Sequence, residues 1–332
     1  RFGLWIEPEM VNPDSDLYRA HPDWAYHAPG REPTVGRNQF VLNFARDDVR
    51  EHILARLRAL LSDHGRIDFL KWDHNRPWTE VGWPEQPARA REVWVRHVQG
   101  VYSILSQLRD AFPELRIESC ASGGGRADLG MIGLADQVWT SDNTDAADRL
   151  LIQYGYSRAH SPRTMVNWVT DVPNQQTGRS APLTFRFHVA MQGVLGIGGD
   201  IRRWSAAELE QARELIAQYK AIRPTVQQGR QYWLVPPAGA GACAVQYVSE
   251  AGGESMLFLY EVRGLRGKGA RRVRLRGLLP ERRYRRDQDG VESTGAALMA
   301  AGVAATFGDA SGWQRELDWR SELQVWRTVA AD

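Results

Sequence analysis

Up to about residue 225 the chain alternates between short β-branched or aromatic runs and longer runs with apolar residues at the helical period. That alternation confines it to α/β architectures with a largely parallel sheet. Seven strand-like runs stand out, at residues 3–8, 40–44, 67–73, 115–120, 137–142, 164–169 and 194–199. The first is ended by Pro8, which cannot donate to a ladder. Helices are expected over 47–62, where Val49, Ile53, Leu54, Leu57, Leu60 and Leu61 form one face, and over 88–111, stopped by Pro113. Further helices run through Leu150, Leu151 and Tyr154, over 182–193, and from a Ser205 cap to a stop before Pro224. The Pro-rich stretch 11–38 is too long for a plain connector and reads as a lid or binding loop.

Polar residues close nearly every strand: Glu7, Asn43, Asp73, Cys120, Asp142, Asn167 and Asp200. An open sheet concentrates function at its switch point, whereas a barrel brings all its strand ends to one mouth. The pattern therefore predicts a (β/α)8 TIM-type barrel with its first strand missing, over residues 1–228. From 229 to 332 the texture changes to short strands at 243–248, 255–260 and 271–276, split by Gly-rich turns, which predicts a small antiparallel β-sandwich. Arginines at 271–276 and 282–286 alternate with Val273 and Leu275 and read as a solvated strand face rather than a polyanion site.

With 42 Lys+Arg against 40 Asp+Glu the net charge is +2, so no bulk electrostatic argument favours nucleic acid as a partner. No apolar run is long enough to span a membrane. Two cysteines, Cys120 and Cys243, give neither a disulfide framework nor zinc spacing and suit a reducing compartment, so the cytoplasm is the expected location. The chain opens on Arg1 directly ahead of a strand, which reads as a piece of a longer protein and leaves an upstream export signal open. Thirteen tryptophans suit either sugar stacking or a large core.

Within this frame, strand alternation sets Lys71 and Asp73 on one side, with the ammonium beside the carboxylate. Asp142 ends the next strand but one. Two carboxylates so placed suit glycoside hydrolysis, in which one attacks and the other protonates the leaving oxygen. Lys71 would keep Asp73 ionised, while Asp142, between Trp139 and a second carboxylate, would be raised and held as the acid. Metal binding by the same carboxylates is an open alternative, weakened by eight histidines without ligand spacing. Gly123, Gly124 and Gly125 lack the following Lys-Ser/Thr of a phosphate cradle and read as a tight loop giving a ligand access to backbone.

Four stretches occur in order: residues 2–11 (FGLWIEPEMV), 71–76 (KWDHNR), 118–126 (ESCASGGGR) and 139–145 (WTSDNTD). Together they resemble family 36 glycoside hydrolases, the microbial α-galactosidases or melibiases. The resemblance implies a retaining mechanism with Asp73 as nucleophile and Asp142 as acid/base. It places Trp5, Arg37, Lys71, Asn75, Cys120, Gly123, Gly124 and Trp139 around the sugar. It implies no cofactor and no metal, oligosaccharide α-galactosides of the melibiose and raffinose type as substrates, and a homo-oligomer, commonly a tetramer.

The chain departs from the family pattern in three respects. The large N-terminal β-sandwich is absent, as is the first barrel strand with its Asp-Asp pair for the galactose 4- and 6-hydroxyls. Trp168 stands where a histidine is more usual, and Gln175 is likewise unusual, which bears on aglycone preference. Weak or absent activity of this piece alone is therefore expected. The alternatives are an α-N-acetylgalactosaminidase or a raffinose-type galactosyl transferase on the same fold, or a non-catalytic galactoside-binding piece.

Overall fold

The computed structural model describes residues 1–237, 241–263, 272–305 and 318–330. The chain forms two compact units, Arg1–Asp142 and Asn143–Asp332.

In the first unit the strands β1 (Phe2–Ile6), β2 (Met10–Val11), β3 (Phe40–Val41), β4 (Ile67–Trp72), β5 (Arg116–Ser119) and β6 (Gln137–Trp139) are interleaved with four helices. These are α1 (Asp16–Ala20), α2 (Asp47–Asp63), α3 (Val93–Ala111) and α4 (Leu129–Leu134). β1, β4, β5 and β6 lie side by side in that order, all parallel. The helical face expected over 47–62 packs inward: Val49, Ile53, Leu54, Leu57 and Leu61 are buried with Leu70, Trp72 and Ile117 of the sheet. At about 1.5–3 kcal/mol for each such side chain, this burial is what holds α2 against the strands.

The run at 40–44 is not a strand of the parallel sheet. β1 pairs directly with β4, while β3 pairs antiparallel with β2 in a separate two-stranded ribbon. Phe40, Leu42 and Phe44 are buried in the core beside α2, and a short apolar run is compatible with any buried backbone, strand or not. The Pro-rich stretch also has more structure than a loop, because Ser15 caps α1 by accepting from the Tyr18 amide and Pro22–Trp24 forms a 3-10 turn.

The second unit begins with α5 (Ala146–Ser157), β7 (Met165–Val169), α6 (Leu183–Ala190), β8 (Val194–Ile197) and α7 (Ala206–Gln228). β7 and β8 pair in parallel, so the described residues contain six parallel strands in all, four in the first unit and two in the second. Ser205 caps α7 in a full capping box with Glu208. The helix does not stop before Pro224 but carries it inside and continues to Gln228. Pro costs a helix interior about 3 kcal/mol, and burial of Ile222, Thr225 and Val226 beyond and before it offsets that cost.

Antiparallel strands follow: β9 (Arg230–Val235), β10 (Ala242–Val248), β11 (Glu254–Glu261), β12 (Arg272–Val273), β13 (Arg283–Arg286), β14 (Glu292–Thr294), then α8 (Gly295–Ala300), β15 (Val303–Ala304) and β16 (Arg320–Thr328). Six of them form a sheet in the order β14-β13-β16-β11-β10-β9, and β12 pairs with β15. Both faces of the sheet are covered. Cys243, Val245, Tyr247, Met256, Phe258 and Tyr260 pack with residues of α5, α6 and α7, and Ala244, Val248, Leu257 and Leu259 face a second core. The expected strand at 271–276 is shorter than read, Arg272–Val273, and Arg271 lies outside the described residues. Arg283 and Arg286 are engaged by Glu292 and Asp289, the ordinary partners of a solvated strand face. The boundary drawn at 228/229 falls in the second unit, at the turn from α7 to β9.

Candidate active site

Register builds the site. Trp5 is paired with Lys71, Lys71 with Glu118, and Glu118 with Gln137, so these four form one row across the strands. Two residues further along each strand, side chains return to the same side. The next row is therefore Glu7, Asp73, Cys120 and Trp139, at the C-terminal ends of β1, β4, β5 and β6. The sequence-derived candidates come from these two rows and the loops that follow them.

Asp73 is 4% exposed, and its own amide is fixed by donation to the Ile6 carbonyl at 2.9 Å. Its Oδ2 accepts from Trp5 Nε1 at 2.8 Å and Asn75 Nδ2 at 2.6 Å, and its Oδ1 accepts from the His74 amide at 2.9 Å. The Cys120 thiol also donates to it. Burial alone would push the Asp73 carboxyl up, but the donors from Trp5, Cys120, Asn75 and the His74 backbone outweigh it and hold the group below its ordinary value. Burial, reinforced by the Asp73 carboxylate, pushes the Cys120 thiol up to about 12, so it stays protonated and acts as a donor.

The cause differs from the one expected. Lys71 Nζ lies 3.0 Å from Glu118 Oε1, whose other oxygen accepts from Gln137 Nε2 at 2.6 Å, and 4.5 Å from the centre of the Trp139 ring. Hydrogen-bond donors, rather than the ammonium, keep Asp73 ionised. Asp142 is exposed, and its Oδ1 accepts from Trp139 Nε1 at 2.9 Å. Asp145, the carboxylate expected to press on it, caps α5 through the amides of Ala147 and Asp148 and is bound by Thr177 and Arg179.

The glycine loop lies against the Asp142 turn. Gly123 has φ +90°, and a Cβ there would come within 2.9 Å of Ser141 Cα; one on Gly124 would come within 2.7 Å of the Thr140 carbonyl. This is a loop selected for close backbone approach. Asn75 joins it to the carboxylates: its Oδ1 accepts from the Ser122 amide at 3.1 Å, while its Nδ2 also reaches Glu7 Oε1 at 2.8 Å.

Arg37 is not brought into this hydrogen-bonded cluster. It is exposed, with φ 53°, and makes no hydrogen bond or ion pair among the described residues, so the loop salt bridge that could have explained it is not formed. Its loop is pinned by Arg76, which is 3% exposed and donates to the carbonyls of Thr34, Gln39 and Pro77. Trp5, by contrast, is 52% exposed while its indole N–H holds Asp73. The sequence reading missed Glu7, Gln39 and Glu118 as partners, and also a fully buried carboxylate, Glu9. The signal available was Glu7-Pro8-Glu9 itself, two carboxylates directly after an apolar strand. No group of three or more His, Cys, Asp or Glu residues able to hold a metal ion occurs among the described residues, and none of their helices is long and apolar enough to cross a membrane.

The family model described as Melibiase matches residues 1–229, and that described as the glycosyl hydrolase family 36 C-terminal domain matches 242–325. The chain belongs to the melibiase family. It is 41% identical over 92% of its length to alpha-galactosidase AgaA of Geobacillus stearothermophilus and 42% identical over 92% to alpha-galactosidase C of Emericella nidulans. It spans 42% and 40% of those relatives, so it corresponds to less than half of each. Among solved structures, the alpha-galactosidase from Lactobacillus brevis superposes over 100% of this chain and 45% of that one, with TM-score 0.95 and 38% identity. A variant of AgaA from Geobacillus stearothermophilus in complex with 1-deoxygalactonojirimycin superposes over 99% and 45%, with TM-score 0.93 and 38% identity. These likenesses bear out the fold class of this melibiase-family chain, a barrel-like α/β part followed by an antiparallel sheet domain.

Proposed function

We propose that this chain carries the catalytic machinery of a retaining α-galactosidase acting on terminal α-1,6-linked galactosides, with Asp73 as nucleophile and Asp142 as acid/base. The observation that carries the reading is the state of Asp73: buried at a strand end, pre-aimed by four donors, and held ionised by them. In the first step an Asp73 oxygen forms a bond to the anomeric carbon as the bond to the leaving oxygen breaks, and Asp142 gives that oxygen its proton. In the second, Asp142 takes a proton from water, the water oxygen bonds to the anomeric carbon, and Asp73 leaves as carboxylate. Two displacements return the original anomeric configuration.

The row of side chains around Asp73 supplies what sugar binding needs. Trp5 offers a half-exposed indole face, Trp139 backs the Lys71 ammonium, Lys71 with Glu118 and Asn75 offer charged and amide groups for hydroxyls, and Cys120, Gly123 and Gly124 lie in and beside the close-packed loop. Arg37 stands exposed on a pinned loop, available to an incoming hydroxyl. Variants of one relative at 38% identity, AgaA of Geobacillus stearothermophilus, were solved with 1-deoxygalactonojirimycin, raffinose and stachyose, which supports galactose at the reacting position and oligosaccharides beyond it.

The test is hydrolysis of melibiose, raffinose, an aryl α-galactoside and an aryl α-N-acetylgalactosaminide, by the chain alone and extended to the length of its relatives. Galactosides are expected to turn over with retention of configuration. Asp142→Ala should lower turnover by roughly 10²–10⁴-fold, with Asp73→Ala at least as severe. Normal turnover by Asp73→Ala, or preference for the N-acetylated sugar, would overturn the assignment.

A further inference from the structure

Glu9 is 0% exposed and meets side chains from four separate places, three of them through hydrogen bonds. Its Oε1 accepts from Trp72 Nε1 at 2.6 Å and Arg126 Nη1 at 2.8 Å, and its Oε2 faces His97 Nε2 at 2.8 Å and His74 Nδ1 at 3.4 Å. Trp72 is the residue before Asp73 and His74 the residue after it. Arg126 ends the glycine loop, and its carbonyl accepts from Ser119 Oγ of β5 at 3.0 Å. His97 belongs to α3 and meets the buried Tyr26 hydroxyl at 3.2 Å through its other nitrogen.

We infer that Glu9 is a positioning residue for Asp73: a single buried carboxylate that clamps both chain neighbours of Asp73 and, through Arg126, the loop behind Cys120. The reasoning is geometric. The His74 amide and the Cys120 thiol are two of the four donors on Asp73. The first belongs to the residue whose imidazole Nδ1 lies 3.4 Å from Glu9 Oε2, and the second borders the glycine loop that Arg126 terminates. Arg126 Nε and Nη2 are buried without a partner among the described residues, so Glu9 is the group that neutralises this guanidinium. Without that carboxylate the guanidinium, whose side chain is already 18% exposed, loses its buried counter-charge and is drawn towards water, and residues 121–126 leading up to it loosen with it. Burial by itself would push the Glu9 carboxyl up, but Arg126, His74 and His97 outweigh it and keep the group well below its ordinary value, consistent with a permanently charged anchor.

The chain provides its own control. Cys120 lies at the site, whereas Cys243 lies in the core of the second unit, 3% exposed. In Glu9→Gln, which keeps the size but offers one acceptor oxygen and an unwanted amide N–H, native-state alkylation of Cys120 by iodoacetamide should quicken at least about tenfold while Cys243 keeps its rate. Equal acceleration of both thiols would mean general loosening, and no acceleration of either would mean no clamp; each result overturns the proposal. Trp72→Phe removes one donor while keeping an aromatic side chain there, and should give the same selectivity at smaller size if Glu9→Gln does not fold; an unchanged Cys120 rate there, or equal acceleration of both thiols, also overturns it. A kinetic arm rests on the α-galactosidase reading: kcat of Glu9→Gln should fall about tenfold or more with KM held within about threefold, because aim at the anomeric carbon matters in the transition state. A chain inactive on every galactoside would count against that reading, while the labelling ratio would still decide the role of Glu9.

Discussion

Asn75→Ala probes how Asp73 is kept ionised. The Asn75 amide donates to Asp73 Oδ2 at 2.6 Å and to Glu7 Oε1 at 2.8 Å, so one NH2 group separates two carboxylates. A hydrogen bond to a charged group contributes about 1.5–3 kcal/mol, and its removal also leaves the two carboxylates facing each other directly. The expected loss at pH 7 is therefore about 2 kcal/mol of stability. Its pH dependence follows from the direction of the Asp73 shift. The folded-state pKa is depressed, so the stabilisation is fully present above the unfolded value of about 3.9 and is lost as pH falls through the folded value. Asn75→Ala brings the folded value back towards the unfolded one. The stability gap between parent and variant should thus be widest on the plateau at about pH 5–7, above both values, and close only as pH falls below the unfolded value and through the depressed folded one. Urea titrations across this range measure it, and the acid limb of kcat/KM should move to higher pH in parallel. A gap that stays constant with pH would show that Asn75 acts by packing alone and would refute this account of how Asp73 is kept ionised.

Gly123→Ala places a Cβ 2.9 Å from Ser141 Cα at φ +90°, and should cost about 1–3 kcal/mol in a thermal or urea melt. Gly133→Ala in α4, where a Cβ meets nothing within 4 Å, should be neutral or stabilising by about 0.5–1 kcal/mol, so equal losses at the two sites would contradict the close-approach argument. His188, buried in α6 with Nδ1 2.9 Å from Ser321 Oγ, has its pKa pushed down by burial to about 4. The unfolded chain then binds the proton first, so stability should fall by up to about 1.4 kcal/mol per pH unit as pH drops from about 6.5 towards 4. His188→Phe should flatten that slope in pH-dependent melts, and an unchanged slope would assign it to other groups.

Much of the first unit was legible because its information is periodic. The face of α2 and the strands at Ile67–Trp72, Arg116–Ser119 and Gln137–Trp139 follow from spacing that no tertiary context reverses. The run at 40–44 misled because continuous apolar residues report burial, not pairing. Pro224 misled because propensity yields to packing when the residues around it are buried.

By itself, the sequence determined the alternation and the polar strand ends, Asp73 among them, since these need only residue type and a two- or 3.6-residue period. Tertiary structure decided who serves whom. Lys71 and Asp73 share a side by alternation, yet the register of β4 on β5 gives the ammonium to Glu118. Trp5, sixty-eight positions away, holds Asp73. Glu9 reaches residues as distant as Arg126, 117 positions along the chain, because the end of β4, the helix α3 and the glycine loop converge on it. Hydrogen bonds are set by distances of a few ångströms between segments far apart in the chain, and periodicity carries no record of those distances.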